Sequence, residues 1–439
     1  MTSPNTKKNN PKIINAWCFY DWANSAFSLV IISTIFPIYF GSVVVNAQGG
    51  DMVSFLGIEL KNSALFSFSI SFAFLITAFL SPFLSAIADY SGYKKRFMQL
   101  FTYLGAFFCG MLYFFQTDTI VLGVTCFVMA TIGFSGSIVF YNSYLPDLVS
   151  EDQMDRVSAK GFSFGYIGSV ILLLANFTLF LFPNFYGGIT AGQAARFSFL
   201  SVGIWWFIFA QYSFYYLPNP TISMGKKKAN WLLAGFHELR KVASELQTQP
   251  VLKKYLLAFL FYSMGVQTVM YVATIFGEKE LHIPSDVLKL VVLVLQLVAI
   301  MGASVFAKVS ETIGNIKALI IIVSVWICIC WGAYFVAGSG QFFILAGVVG
   351  FVMGGVQSLS RATYAKLIPT NTVDTTSYFS FYDIVEKLSI VLGTFSYGLI
   401  DHLTHNMRYS TVALAVYFII GLVLLSTIVN NKKLFPKHK

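Results

Sequence analysis

The chain has 439 residues, of which 56% are hydrophobic, 17% aromatic and only 11% charged, where average soluble domains carry roughly 25% charge. This excludes a soluble enzyme, a disordered chain and a fibrous protein, and leaves a polytopic membrane protein. The net charge of +10 is read as loop charge that orients such a protein, so no nucleic-acid partner is expected.

A spanning helix needs about 20 mostly apolar residues. That ruler predicts twelve spans: Ala16–Val45, Ser63–Ala88, Phe97–Gln116, Thr119–Leu145, Ser158–Phe182, Arg196–Leu217, Leu252–Phe276, Val287–Val309, Ile316–Val336, Gln341–Leu367, Tyr378–Ile400 and Ser410–Val429. Met1 to Ile13 is polar and basic without a small-residue cleavage site, so no removable signal is expected and the first span is retained. A longer external loop, about Asn46–Asn62, follows span one. Spans seven and ten carry more polar residues than lipid-facing helices do and are expected to line the interior. Between spans six and seven, Pro218–Val251 opens with prolines and the basic run Lys226–Lys228. It continues as Trp231–Leu246, where Leu232, Leu233, Phe236, Leu239, Val242 and Leu246 recur at helical spacing. This predicts an amphipathic linker helix. The chain is thus divided into a six-helix half 1–217, a linker 218–251 and a second six-helix half 252–439.

Basic residues orient the bundle. With an even span count, twenty Lys and Arg fall on the side of the termini, among them Lys7, Lys12, Lys94, Lys95, Arg96, Arg156 and Lys432; the other side holds only Lys61, Arg196, Lys279, Lys289 and Arg408. Both termini are therefore expected in the cytoplasm, in a multi-pass protein of the cell (inner) membrane.

Three motifs recur in the same order in both halves. Phe19-Tyr20 opens span one and Phe261-Tyr262 span seven. Asp89-x-x-Gly92 with Lys94-Lys95 follows span two, and Glu311-x-x-Gly314 with Lys317 follows span eight. Phe162-Ser163-Phe164 starts span five and Phe379-Ser380-Phe381 span eleven. The fold class expected is an all-α polytopic membrane protein of twelve transmembrane helices in two six-helix pseudo-repeats, the plan of major facilitator transporters. In the repeated turn, Gly92 and Gly314 permit a sharp reversal. Asp89 can accept from backbone N–H groups at a neighbouring helix N-terminus. Asp89, Gly92, Lys94, Lys95, Glu311 and Gly314 are read as a gating latch, made when the cytoplasmic side is closed.

Ala16-Trp17-Cys18-Phe19-Tyr20-Asp21-Trp22-Ala23-Asn24-Ser25-Ala26-Phe27 resembles the opening signature of the vacuolar effluxer and autophagy-related permease family, a branch of the major facilitator superfamily. Phe140-Tyr141-Asn142-Ser143-Tyr144-Leu145-Pro146 is similar to its fourth-span exit. Ser158 to Phe162 and Gly165 to Gly168 are similar to its fifth-span entry. Gly354 to Arg361 with Ile368-Pro369, and Phe381-Tyr382-Asp383-Ile384-Val385-Glu386-Lys387, match its tenth and eleventh spans. The resemblance covers nearly the whole chain and is nearer the compact bacterial branch. One departure stands out: where the family sets Asn-Asp after the seventh-span tyrosine, Tyr262 is followed by Ser263-Met264-Gly265. The eukaryotic branch implies export of amino acids from vacuoles.

Ionisable groups inside spans are costly, so each is a site candidate. Asp21 lies in span one. Asp383, Glu386 and Lys387 lie three and four apart on one face of span eleven. Two carboxylates sharing one ammonium leave one poorly compensated, and these three residues are the proton-coupling candidates. Arg361 follows Gln357 by one turn near the inner end of span ten, and Lys160 occupies the matching end of span five. With Tyr20, Asp21, Asn24, Tyr141, Asn142, Tyr262 and Gln267, they are expected to bind a polar or zwitterionic solute or to form the inner gate. The bland alternative is a network of charged helix ends closing the inner side. Trp205, Trp206, Tyr215 and Tyr216 are expected in the lipid-facing belt. Gly161, Gly165, Gly168, Gly350 and Gly354 are expected at close helix contacts.

The function expected is secondary transport of a small solute by alternating access, with amino-acid efflux and proton coupling as finer readings. A multidrug exporter and a non-transporting receptor are the alternatives. The five histidines avoid the bodies of the spans and there is no P-loop run, so neither an enzyme nor an ATP-driven pump is expected. The five cysteines read as filler, and no cofactor or metal is expected. The partners expected are a small-molecule substrate and the lipid bilayer, with the bundle complete as a monomer.

Overall fold

The computed structural model describes residues 8–48, 52–219, 231–369, 372–404 and 406–430. The basic run Lys226–Lys228, Lys7 and the lysines from Lys432 onward lie outside the described residues. The first span is wound in three pieces: α1 (Pro11–Ala26), a π-helical stretch Phe27–Ile35, and α2 (Phe36–Gln48). Within the π stretch, Thr34 Oγ1 donates to Leu29 O at 2.7 Å, a local hydroxyl bond that competes with the backbone ladder. The external loop after it is partly structured, which apolar content did not foretell. Strands β1 (Met52–Phe55) and β2 (Ile58–Lys61) pair antiparallel about the two-residue turn Leu56-Gly57. Both turn residues have positive φ, 52° and 82°, as a primed hairpin turn requires.

The remaining helices are α3 (Asn62–Ser91), α4 (Lys94–Met111), α5 (Ile120–Ser143), the single turn α6 (Leu145–Leu148), α7 (Met154–Leu181), α8 (Ala191–Tyr216), α9 (Trp231–Thr248), α10 (Pro250–Lys279), α11 (Ser285–Ile313), α12 (Asn315–Phe335), α13 (Ser339–Leu367), α14 (Thr375–Thr404) and α15 (Met407–Asn430). Among the described residues, eleven segments are long and apolar enough to cross a membrane. α14, 30 residues long, has the length but carries Asp383, Glu386 and Lys387. It completes twelve spans in an all-α polytopic fold. Gly92, at φ 71°, ends α3 in the left-handed conformation and lets α4 start two residues later.

Spans α1–α8 pack mainly among themselves, as do α10–α15; the two sets meet along α3–α14 and α7–α11, with α7–α13 and α5–α14 between them. Span two of one half thus touches span five of the other, reciprocally. α9 lies against α3 and reaches α14 and α10. Its Val242 and Leu246 are buried; the side chains of Leu232, Leu233, Phe236 and Leu239 are outside those described.

The aromatic belt needs one correction. Trp206 is fully buried and packs on Phe27 with ring centroids 5.6 Å apart. Gly105 of α4 leaves the slot that the indole fills, so a methyl there would overlap the ring. Trp205 is also tied inward, donating to Trp22 O at 3.2 Å. Tyr215 is exposed, as a lipid-facing residue would be.

Candidate functional site

The halves enclose a cavity of about 210 Å³ lined by residues of both, including Asp21, Asn24, Tyr141, Asn142, Tyr166, Tyr262, Gln267, Gln357, Arg361, Glu386 and Lys387. Beside it, α7 meets α1 through glycine. On α7, Gly161, Gly165 and Gly168 share one face and bring α1 close. A methyl on Gly161 would stand 2.8 Å from Asp21 Oδ2 and 3.0 Å from the Tyr141 hydroxyl; one on Gly168 would stand 2.7 Å from Trp22 O.

Into this gap comes Arg361 of α13, a cation that is 3% exposed. Its Nη1 donates to Asp21 Oδ2 and Asn142 Oδ1, both at 3.3 Å. Its Nε donates to Ser158 Oγ at 2.9 Å and its Nη2 to Ser158 O at 2.8 Å. Tyr141 donates its hydroxyl to the same Asp21 oxygen at 2.6 Å. The guanidinium also lies over the rings of Phe162 (4.2 Å) and Trp17 (4.8 Å), and Trp17 stacks on Tyr141. A charge this buried persists because it is ion-paired, hydrogen-bonded and ringed by aromatic faces. The pair joins the halves: Asp21 belongs to α1 and Arg361 to α13.

A second inter-half bond lies nearby, where Tyr166 donates to Gln357 Oε1 at 2.5 Å. Asn24 Oδ1, in a residue 1% exposed, lines the cavity with no hydrogen-bond partner. Tyr262 shares a 2.8 Å bond with Ser360 Oγ. Ser263, which follows Tyr262, lines the cavity and accepts from Ser389 Oγ at 3.0 Å.

The opposite wall is charged. Lys387 Nζ stands 3.0 Å from Asp383 Oδ1 and 3.5 Å from Glu386 Oε2. Gln267 Nε2 donates to Glu386 Oε1 at 3.2 Å. Lys387 also lies over Phe74 of α3 at 5.3 Å. Glu386 and Lys387 face the cavity, whereas Asp383 is set behind them.

Two expected site residues do not reach it. Tyr20 turns into the first half, where its hydroxyl shares a 2.7 Å bond with Thr102. Lys160 is exposed on the outer side of α7 and donates to Asn15 Oδ1 at 2.6 Å. Each sits one residue from a site residue, Asp21 or Gly161, and one residue is about 100° around a helix.

At the end of the bundle where α1 begins and α15 stops, the polar contacts between halves are dense. Asp89 accepts from Ser377 N at 2.7 Å, Ser377 Oγ at 2.8 Å and Thr376 N at 3.2 Å, and so caps the start of α14. Lys94 donates to Asp147 Oδ2 at 2.7 Å and Thr375 Oγ1 at 2.8 Å. Lys95 instead donates to Leu217 O within its own half. At the pseudo-equivalent junction Glu311 forms a two-pronged pair with Arg156, and Gly314 turns the chain at φ 86°. Sequence reasoning missed Asp155 beside it, which accepts from Asn315 Nδ2 (2.6 Å), Ser310 Oγ (2.8 Å) and Lys366 Nζ (2.8 Å). It also missed Ser158. The available signal was position: both begin span five, opposite the end of span eight.

Twelve spans in two packed halves, with a charged cavity between them, define a transporter of the major facilitator class. Comparison with known proteins narrows this. The family model for vacuole effluxers (Atg22 like) matches residues 9–155 and 150–435, and the chain belongs to that family. An uncharacterized MFS-type transporter of Bacillus subtilis (strain 168), YxiO, is 30% identical over 419 residues, 94% of each chain. Autophagy-related protein 22 of Pyricularia oryzae is 22% identical over 517 residues, spanning 94% of this chain and 75% of that protein. The solved MFS proton:xylose symporter XylE, bound to 6-bromo-6-deoxy-D-glucose, matches in fold with a TM-score of 0.74 at 13% identity, over 96% of each chain.

Proposed function

We propose that the chain moves a small polar or zwitterionic solute, with amino acids as the leading class, through the central cavity by alternating access. The carrying observation is the buried Asp21–Arg361 pair between the halves, at the wall of a cavity also lined by Glu386, Lys387 and Asn24. A zwitterion presents one group for Arg361 and one for a carboxylate. It can exchange for the inter-half pair without leaving a buried charge alone. The end that bears the termini is the cytoplasmic one, and the Asp89 and Glu311 junctions close it in this conformation. Opening that end breaks them. Coupling to protons falls on the Asp383, Glu386 and Lys387 cluster.

A second chamber of about 250 Å³ favours a variant of this reading. It adjoins the first through Leu29, Ser33, Met270 and Met353, and its own wall is largely apolar, with Phe66, Ile70, Val291 and Phe342. A multidrug exporter would use it for bulky apolar solutes.

The test is flux in proteoliposomes with labelled neutral amino acids, with and without an imposed proton gradient. Gradient-dependent movement that is lost in Arg361→Met is expected. Folded protein that moves none of them overturns the amino-acid reading, and a screen of apolar cations then decides for the exporter.

A further inference from the structure

We propose that the three charges of α14 divide their work: Asp383 holds the coupling proton, Glu386 takes the cationic group of the solute, and Lys387, shared between them, makes the two occupancies mutually exclusive. The inference rests on the proton-coupled reading above. It adds which carboxylate does what, and that the coupling is an exchange of proton against solute.

The geometry separates the carboxylates. Glu386 and Lys387 line the cavity. The Glu386 side chain keeps 25% exposure there, against 3% for Asp383. Lys387 Nζ is nearer Asp383 (3.0 Å) than Glu386 (3.5 Å). Asp383 is covered on its other side by α3, whose Ser81 Oγ faces it, so its close partners are that hydroxyl and the Lys387 ammonium. Glu386 has Gln267 from α10. The other titratable groups facing the cluster are two phenols that line the same cavity, Tyr271 of α10 and Tyr382 of α14 itself. α3 brings Phe74 and Ser81, which carry no charge.

Counting charge then gives the rule. Two carboxylates share one ammonium, so the cluster holds one uncompensated negative charge in a poorly solvated place and accepts one further positive charge. A cation arriving from the cavity meets Glu386, the carboxylate Lys387 serves less well. A proton arriving at Asp383 removes the nearer partner of Lys387. The ammonium then belongs wholly to Glu386, which no longer attracts a cation. Binding one disfavours the other, and by linkage the effect is reciprocal. The protonated Asp383 can donate to Ser81 Oγ, which faces it, and so keeps a partner when Lys387 turns to Glu386.

Infrared difference spectroscopy of the lipid-reconstituted protein reads this directly through the C=O stretch of a protonated carboxyl. A component of this band that grows as pH falls is expected in the native protein and, displaced to lower pH, in Glu386→Gln, where Lys387 serves Asp383 alone; that component is expected to be missing in Asp383→Asn. Methylammonium is the cation probe. At fixed pH it should weaken the band at least about twofold in the native protein and leave it unchanged in Glu386→Gln. If Asp383→Asn does not fold, Ser81→Ala should shift the frequency of the same band by removing the facing hydroxyl. A band lost in Glu386→Gln but kept in Asp383→Asn overturns the division while leaving proton coupling in place. A methylammonium-insensitive band, or one unmoved by Ser81→Ala, also overturns it. If no carboxyl titrates in any form, the proton-coupled reading itself falls.

Discussion

Replacing Arg361 by methionine removes a buried cation and leaves its anion behind. Asp21 would keep a single hydrogen bond, from Tyr141 at 2.6 Å, and Ser158 would lose both bonds it receives from the guanidinium. Removing one partner of a buried pair costs about 3–5 kcal/mol, because the remaining charge is desolvated and uncompensated. Replacing both partners with neutral residues leaves no such charge. Asp21→Asn/Arg361→Met should therefore cost only about 1–2 kcal/mol for the lost hydrogen bonds. The double variant is predicted to be more stable than Arg361→Met alone, by about 2–3 kcal/mol. An unfolding entropy of about 2.1 cal/mol/K per residue over 439 residues turns the single loss into a fall in Tm of at least about 3 °C. The assay is thermal unfolding with a thiol-reactive fluorophore, since Cys18, Cys109, Cys126 and Cys330 are buried until the fold opens. Flux should be lost in both variants, because stability recovers without the charges. A double variant as unstable as Arg361→Met, or a single variant as stable as the native protein, refutes the reasoning.

Other outcomes follow from the same geometry. Gly161→Ala sets a methyl 2.8 Å from Asp21 Oδ2 and 3.0 Å from Arg361 Nη2, so it should cost about 1–3 kcal/mol by overpacking and lower flux, read by the same unfolding assay and in proteoliposomes. Asp89→Ala uncaps α14 and should speed thiol labelling of Ser143→Cys, in a background without native cysteines, by several-fold; Ser143 is buried beside Thr376 across the junction. Unchanged labelling would deny Asp89 a part in closing that end. Trp206→Ala should cost about 3–5 kcal/mol, as expected of a buried indole and not of a belt residue, while substrate affinity is unchanged in equilibrium binding. Lys160→Ala should leave flux within about twofold of native, since an exposed contact to Asn15 is worth at most about 1 kcal/mol; a tenfold loss would return Lys160 to the site.

Much of this molecule can be read along the chain because a bilayer imposes a rule in one dimension: a span needs length and apolar content, and a charge within it needs a reason. Twelve spans, the rare intramembrane charges at Asp21, Arg361 and the α14 cluster, and the sharp turns at Gly92 and Gly314 all follow from that rule and from local backbone chemistry. Which way a residue points does not. Neighbours on a helix differ by about 100°, and the rotation of each helix is set by what it packs against. Hence Tyr20 turns to Thr102 while Asp21 meets Arg361, Lys160 faces out while Gly161 makes room, and Trp206 fills the slot above Gly105. Ser158 and Asp155 gained their roles only when span five met spans eight to ten. The separation of Asp383 from Glu386, three residues apart on one helix, came from α3 covering one carboxylate and the cavity leaving the other open. Composition along the chain determined how many helices cross and which charges they carry. Packing between helices alone decided which of those charges meet, because contact depends on faces that no single helix sequence specifies.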